Sequence, residues 1–126
     1  MTRVFKTRPF DKWMRKARLT DAVLREAVSE MQRGLIDADL GGGLFKKRVA
    51  LPGRGKRGGA RTLVVTNRQD RWFFVFGFEK NVRDSIGSRE LQALRDVAVD
   101  LLERSSPQLD ELVDTEGLLE ILYDGP

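Results

Sequence analysis

Arg61-Thr62-Leu63-Val64-Val65-Thr66-Asn67, Gln69-Asp70-Arg71 and Trp72-Phe73-Phe74-Val75-Phe76-Gly77-Phe78 form the stretch on which the fold turns. The first seven residues include the β-branched Thr62, Val64, Val65 and Thr66, which fit a pleated surface. A polar turn follows at Gln69-Asp70-Arg71. The run from Trp72 to Phe78 is apolar on both alternating faces, so both must be covered, which places it centrally in a sheet. Upstream, Leu44 to Leu51 reads as a further strand. Three successive strands joined by loops predict an antiparallel meander.

Working outward, Arg3-Val4-Phe5-Lys6 is a short candidate strand. Thr7 suits a helix cap and Pro9 a first helical turn. Phe10, Trp13, Met14 and Ala17 then recur on one helical face. Thr20-Asp21 opens a second helix with Val23, Leu24, Ala27, Val28 and Met31 inward, ended by Gly34. Gly41-Gly42-Gly43 marks a turn. Beyond the meander, Ser88 is the expected cap of a third helix carrying Leu91, Leu94, Val97, Ala98, Leu101 and Leu102. Ser106-Pro107 starts a shorter helix, Gly117 breaks it, and Leu118 to Tyr123 can pair as an edge strand. The reading is one α+β domain over residues 1–126. Its order is β-α-α-β-β-β-α plus a short C-terminal appendage, an antiparallel sheet with two N-terminal helices and a C-terminal helix.

Composition narrows the chemistry by omission. The 126 residues contain no His and no Cys. That removes the commonest zinc ligands, the Ser-His-Asp triad and the paired-histidine route to RNA cleavage. Catalysis would fall to Lys, Arg, carboxylates, hydroxyls or the backbone, with no metal or other cofactor expected. No apolar run approaches the roughly 18 to 20 residues of a membrane span, and Met1 to Phe10 lacks a signal-peptide core. A bacterial cytoplasmic protein without membrane contact is the expectation.

Charge is divided along the chain. Residues 1–89 hold 21 Lys and Arg against 9 Asp and Glu, whereas residues 90–126 hold 2 against 10. The basic body points to a polyanion, because Lys and Arg release the counterions condensed on phosphates. The acidic helical segment from about residue 88 is either a solvated helix face or a screen over the basic surface. A screen predicts that truncation after Ser105 raises RNA affinity.

Between Lys46 and Arg61 stand seven basic residues, Lys46, Lys47, Arg48, Arg54, Lys56, Arg57 and Arg61, and no acidic one. Such density costs self-repulsion, and a phosphate backbone is its natural reward. Glycines 53, 55, 58 and 59 let the loop backbone approach that partner. A basic hairpin loop without catalytic role fits the same composition. Gly53-Arg54-Gly55-Lys56-Arg57-Gly58 matches G-x-G-x-x-G, but a strand follows where a dinucleotide fold needs a helix, and no GK[ST] ending is present. At the exit of the aromatic strand, Lys80 and Arg83 stand in Gly77-Phe78-Glu79-Lys80-Asn81-Val82-Arg83. Taken alone, Lys80 is an ordinary strand-end charge; paired as a meander, these groups, Arg61, Lys47 and Lys56 converge on one rim.

The combination of Asp39-Leu40-Gly41-Gly42-Gly43, Lys46-Lys47-Arg48-Val49-Ala50, Gly53-x-Gly55-Lys56-x-Gly58-Gly59-x-Arg61-Thr62 and Phe76-Gly77-Phe78-x-Lys80-Asn81 resembles the RelE-type toxins, and among them the HigB-like ribosome-dependent mRNA interferases. The resemblance implies a toxin of a type II toxin-antitoxin system that cleaves messenger RNA on the ribosome. It implies a cognate antitoxin, HigA-like with a helix-turn-helix domain, through which alone the toxin would meet DNA. By motif position Lys56, Arg61 and Lys80 carry over as catalytic candidates, and Lys47, Arg48, Arg54 and Arg57 as contacts to RNA phosphates; Lys46 and Arg83 join the latter on charge. Ala60 stands where that branch often has an aromatic residue, which leaves no side chain there to stack on a base. Gyrase-directed relatives share the superfamily, so a non-catalytic basic nucleic-acid-binding or gyrase-directed toxin is the rival reading.

Cleavage by 2′-hydroxyl attack needs a base, charge stabilisation at phosphorus and an acid. Arg61 suits stabilisation, because its planar fork can hold two phosphate oxygens. Neighbouring cations and desolvation lower a lysine's pKa, so either Lys56 or Lys80 can serve as base with the other as acid.

Overall fold

The computed structural model describes residues 1–53, 55, 58–80, 82, 83 and 85–125. Its elements are β1 (Arg3–Thr7), α1 (Arg8–Lys16), α2 (Asp21–Gln32), β2 (Ala38–Gly41), β3 (Leu44–Val49), β4 (Ala60–Thr66), β5 (Arg71–Glu79), α3 (Ser88–Glu103), α4 (Ser106–Asp114) and β6 (Leu118–Ile121). The first two helices start as their sequences dictate. Thr7 Oγ1 accepts the Phe10 N–H at 3.3 Å and Thr20 Oγ1 accepts that of Val23 at 3.4 Å, satisfying donors that a helix N-terminus leaves open.

One α+β sheet results, ordered β2-β3-β4-β5-β1-β6. The meander β3-β4-β5 is antiparallel, and β5 lies inside the sheet between β4 and β1. Three features differ from the sequence reading. The β1 strand runs parallel to β5, with Val4 opposite Trp72 and Phe5 opposite Phe73. Neither Val4 nor Phe5 is exposed at all, so this strand is interior and its partners lie far away in sequence. Second, β2 forms an unforeseen hairpin with β3. Its Ala-Asp-Leu-Gly sequence has no β-branched residue, and the turn uses Gly41, Gly42 and Gly43 at φ of +87°, +67° and +86°, a conformation that glycine adopts without penalty. Third, the segment counted as an appendage belongs to the sheet: its strand β6 pairs with β1 at the edge, as the edge-strand expectation had it. At α3 the cap is Gly87, with Ser88 already helical, and Val97 is exposed.

The two faces of the sheet bury separate clusters. Val4, Val49, Ala60, Val64, Trp72 and Phe74 pack against α1 and α2 residues such as Phe10, Met14, Leu24 and Val28. Phe5, Leu44, Leu63, Val65, Phe73 and Val75 pack against Ala98, Leu101 and Leu109 of α3 and α4. Fully burying each large apolar side chain is worth about 1.5–3 kcal/mol.

A register shift decides what lies at the far end of β5. Leu63 pairs with Phe76 but Val64 pairs with Phe74, so Val75 is an extra residue, a β-bulge. Val75 and Phe76 consequently both pack on the α3 side, and strand alternation then sends Phe78 to that side too. Gly77 faces α1, where a Cβ would fall 2.2 Å from a Trp13 ring carbon.

The acidic segment folds against the body. Asp96, Asp100, Glu103, Asp110, Glu111 and Asp114 are exposed, while Ala98, Leu101, Leu109, Leu118 and Ile121 are buried. Arg3 of β1 bonds Asp110 at 2.7 Å and Glu120 at 2.9 Å. The carboxylates stand on a solvated helix face and β6 is part of the sheet, so truncation after Ser105 is no clean test of a screen. Among the described residues no helix is long and apolar enough to cross a membrane.

Candidate nucleic-acid interface

Register places the basic residues of β3 and β4. Arg48 is the cross-strand partner of Arg61, and Arg61 is the partner of Phe78. Directly paired residues project to the same face, so Arg48, Arg61 and Phe78 form a row across three strands. Lys46, Leu63 and Phe76 form the next row. Leu63 and Phe76 belong to the α3-side cluster, which fixes the face of both rows. Arg48 is half exposed and pairs with Asp37 at 3.5 Å; Arg61 is buried.

Alternation sends Lys47 the other way. Its ammonium lies 2.8 Å from Glu30 of α2 and donates to the Leu35 carbonyl at 2.9 Å, with 5% of the side chain exposed. Lys47 is therefore a buried link between sheet and helix, and the expected convergence of Lys47 with Arg61 does not occur. Arg54, Lys56 and Arg57 lie outside the described residues.

Lys80 is exposed just beyond β5, and its backbone N–H donates to Gly59 O at 3.3 Å, beside the end of the basic loop. A turn then folds the chain back, with the Val82 and Arg83 N–H groups donating to Glu79 O. It carries Arg83 over the aromatic end of the row, 5.8 Å from the ring centroids of both Phe76 and Phe78. Arg83 is not a bare cation: its guanidinium bonds both carboxylate oxygens of Glu90, in the first turn of α3, at 3.2 and 2.5 Å. That contact raises the Arg83 pKa above its usual value. It also holds Glu90 below the usual carboxylate range, assisted by the Gly87 N–H.

A cationic row beside exposed Lys80, on a chain without histidine, is equipped to hold and polarise phosphate. The profile of the family described as RelE toxin of RelE / RelB toxin-antitoxin system matches residues 2–121. The chain belongs to the RelE toxin family. It is thus a toxin of a toxin-antitoxin system, and its partner is an antitoxin. A search of curated proteins finds no match.

In this RelE-family toxin the sequence reading did not single out Glu90, Phe76 and Phe78 as the residues that surround Arg83. Glu90 was legible only as a glutamate in the first turn of a helix; its link to Arg83 depends on the turn after β5. The two aromatics read as core, because their shared face is set by the bulge. An apolar groove of about 280 Å³, lined by Ala22, Val23, Ala27 and Val49 among others, lies on the α2 side and suits an apolar side chain rather than a phosphate.

Proposed function

We propose that this RelE-family toxin inhibits translation by cutting messenger RNA on the ribosome, as a metal-independent endoribonuclease. The observation that carries the reading is the Arg48–Arg61 pair, in register on one face with Lys80 at the adjacent strand end. The RNA 2′-oxygen attacks the adjacent phosphorus, its proton passing to a lysine. The bond from phosphorus to the 5′-oxygen breaks, that oxygen takes a proton from the acid, and a 2′,3′-cyclic phosphate and a 5′-hydroxyl remain. Arg61 stabilises the charge on the phosphorane oxygens, Lys56 and Lys80 supply base and acid, and Lys46, Arg48, Arg54 and Arg57 hold flanking phosphates. Lys47 is left out of the contact set because Glu30 holds it inside.

The same reading makes residues 1–126 one toxin domain of the HigB-like branch, acting in the bacterial cytoplasm. Its antitoxin is HigA-like, with a helix-turn-helix domain that carries any contact to DNA. The ribosome contributes by bending the message into in-line geometry, so free RNA is cut weakly or not at all. The test is to induce wild type and Arg61→Ala in bacteria and map messenger RNA 5′ ends soon afterwards. Codon-phased new ends with wild type and none with the variant support the nuclease. Growth arrest without such ends moves the reading to a non-catalytic or gyrase-directed toxin.

A further inference from the structure

We propose that Arg83, clamped by Glu90, is a nucleobase platform on which one base of the bound message stacks beside the phosphate held at Arg48 and Arg61. The inference rests on the messenger RNA reading and adds a base-binding subsite to it. Three bonds fix the guanidinium plane: two to the Glu90 carboxylate, and one from Nε to Ser85 O at 3.1 Å. Beneath it lie Phe76 and Phe78, whose ring centroids are 6.3 Å apart and tilted by 52°. The side chain remains 36% exposed, so an approach from solvent stays open.

This environment disfavours a phosphate and favours a base. Glu90 already occupies the bidentate edge of the guanidinium, and its carboxylate repels a second anion. What is left is a planar, weakly hydrated cation over aromatic rings, and single-stranded RNA bases stack on arginine planes of this kind. Phe78 is the register partner of Arg61, so the ring beneath the platform stands on the strand next to Arg61, one strand spacing, roughly 4.8 Å, away. A nucleotide held by its phosphate at the row thus has a base within reach of Arg83. Glu90 is a positioning residue, acting on the message only through the plane it fixes.

The test uses ribosomes programmed with a message whose decoding-site codon is 2′-deoxy, which removes the nucleophile and leaves the complex intact. 2-Aminopurine replaces each codon base in turn, and its fluorescence falls on stacking. Co-sedimentation of toxin with ribosomes reports binding separately. Wild type is expected to quench one codon position. Arg83→Lys keeps the charge and still co-sediments but does not quench, and Arg83→Trp restores quenching. On an all-ribose message Arg83→Lys lowers cleavage about 10-fold, the size of one lost base stack. Bound wild type without a response at any position, or equal quenching by Arg83→Lys, overturns the platform while leaving the nuclease reading in place. Wild type that fails to co-sediment with ribosomes overturns both.

Discussion

Arg48 and Arg61 face each other in register across β3 and β4. Like charges directly opposite destabilise a strand pair, and Asp37 relieves Arg48 only at 3.5 Å. On the proposed reading an anionic ligand adds to that relief, and the phosphate of the message is the anion seated here. The two arginines differ in burial and so in expected role. Arg61→Ala should lower the cleavage rate at saturating ribosomes by about 100- to 1000-fold. Arg61→Lys should recover little of it, since the planar fork is lost. Arg48→Ala should chiefly weaken binding and reduce the salt slope of affinity by about one. Single-turnover rates and binding across a potassium chloride series separate the two, and equal rate losses from both would deny Arg61 a distinct role.

Lys46 and Lys47 are adjacent in sequence and project to opposite faces of the sheet. Removing the ammonium of Lys47 strips Glu30 of its buried ion-pair partner, a kind of loss that costs about 3–5 kcal/mol. Lys47→Met should therefore lower the urea midpoint sharply. Lys46→Ala, on the rim of the arginine face, should leave stability within about 0.5 kcal/mol and weaken ribosome binding at low salt. Unchanged stability of Lys47→Met would return that residue to the phosphate contacts.

These neighbours also show what a sequence can and cannot specify. A run of Lys-Lys-Arg declares its charge but not its faces; Glu30 reveals the face of Lys47 only after α2 has packed on β3. Caps at Thr7 and Thr20 were legible because their donors lie three residues away. The meander was legible because its strands are consecutive. The parallel β1–β5 pairing joins Val4 to Trp72, and no local pattern encodes a partner so distant. Likewise the bulge at Val75 lies in a run apolar at every position from Trp72 to Phe76, where neither face is marked by a polar residue. That one unmarked residue decides that Phe78 shares a face with Arg61, and hence what stands beside the arginine row.

Gly77 tests the seat of α1 on the sheet. A Cβ there would lie 2.2–2.6 Å from three carbons of the Trp13 ring, so α1 must shift or the ring must turn. Gly77→Ala should cost about 1–3 kcal/mol by overpacking. Trp13→Leu in the same chain should make the added methyl cheaper, giving a favourable coupling in a double-mutant cycle of urea unfolding. Additive effects would mean that the two positions do not meet.

Truncation after Ser105 removes α4 and β6 together. Leu109 of α4, and Leu118 and Ile121 of β6, are buried, and Glu120 bonds Arg3 at 2.9 Å. The shortened chain should lose its cooperative unfolding transition by circular dichroism, exposing the apolar residues of β1. A truncated protein that stays folded and binds RNA more tightly at low salt would instead restore the screening role of the acidic segment.

Lys6 anchors β1 to both N-terminal helices, with its ammonium 2.7 Å from Asp11 and 2.8 Å from Asp21. Burial opposes the charge on Lys6, but its hydrogen bonds to Asp11 and Asp21 outweigh burial and raise its pKa above the usual 10.5. Asp11 is likewise disfavoured as an anion by burial, yet Lys6 and Arg15 hold its pKa below the usual 3.8. A raised lysine stabilises fully below its unfolded pKa, and that contribution disappears as pH rises through the folded value. A lowered aspartate stabilises above its unfolded pKa, and its contribution disappears as pH falls through the folded value. Lys6→Met should therefore be less stable than wild type by a constant amount between about pH 5 and 9. The gap should narrow above pH 10.5 and again below 3.8. Urea unfolding of both proteins across that range measures it directly. A gap that persists undiminished at both extremes would assign the role of Lys6 to packing of its stem against Met14, whose sulfur lies 3.5 Å from the ammonium, rather than to charge.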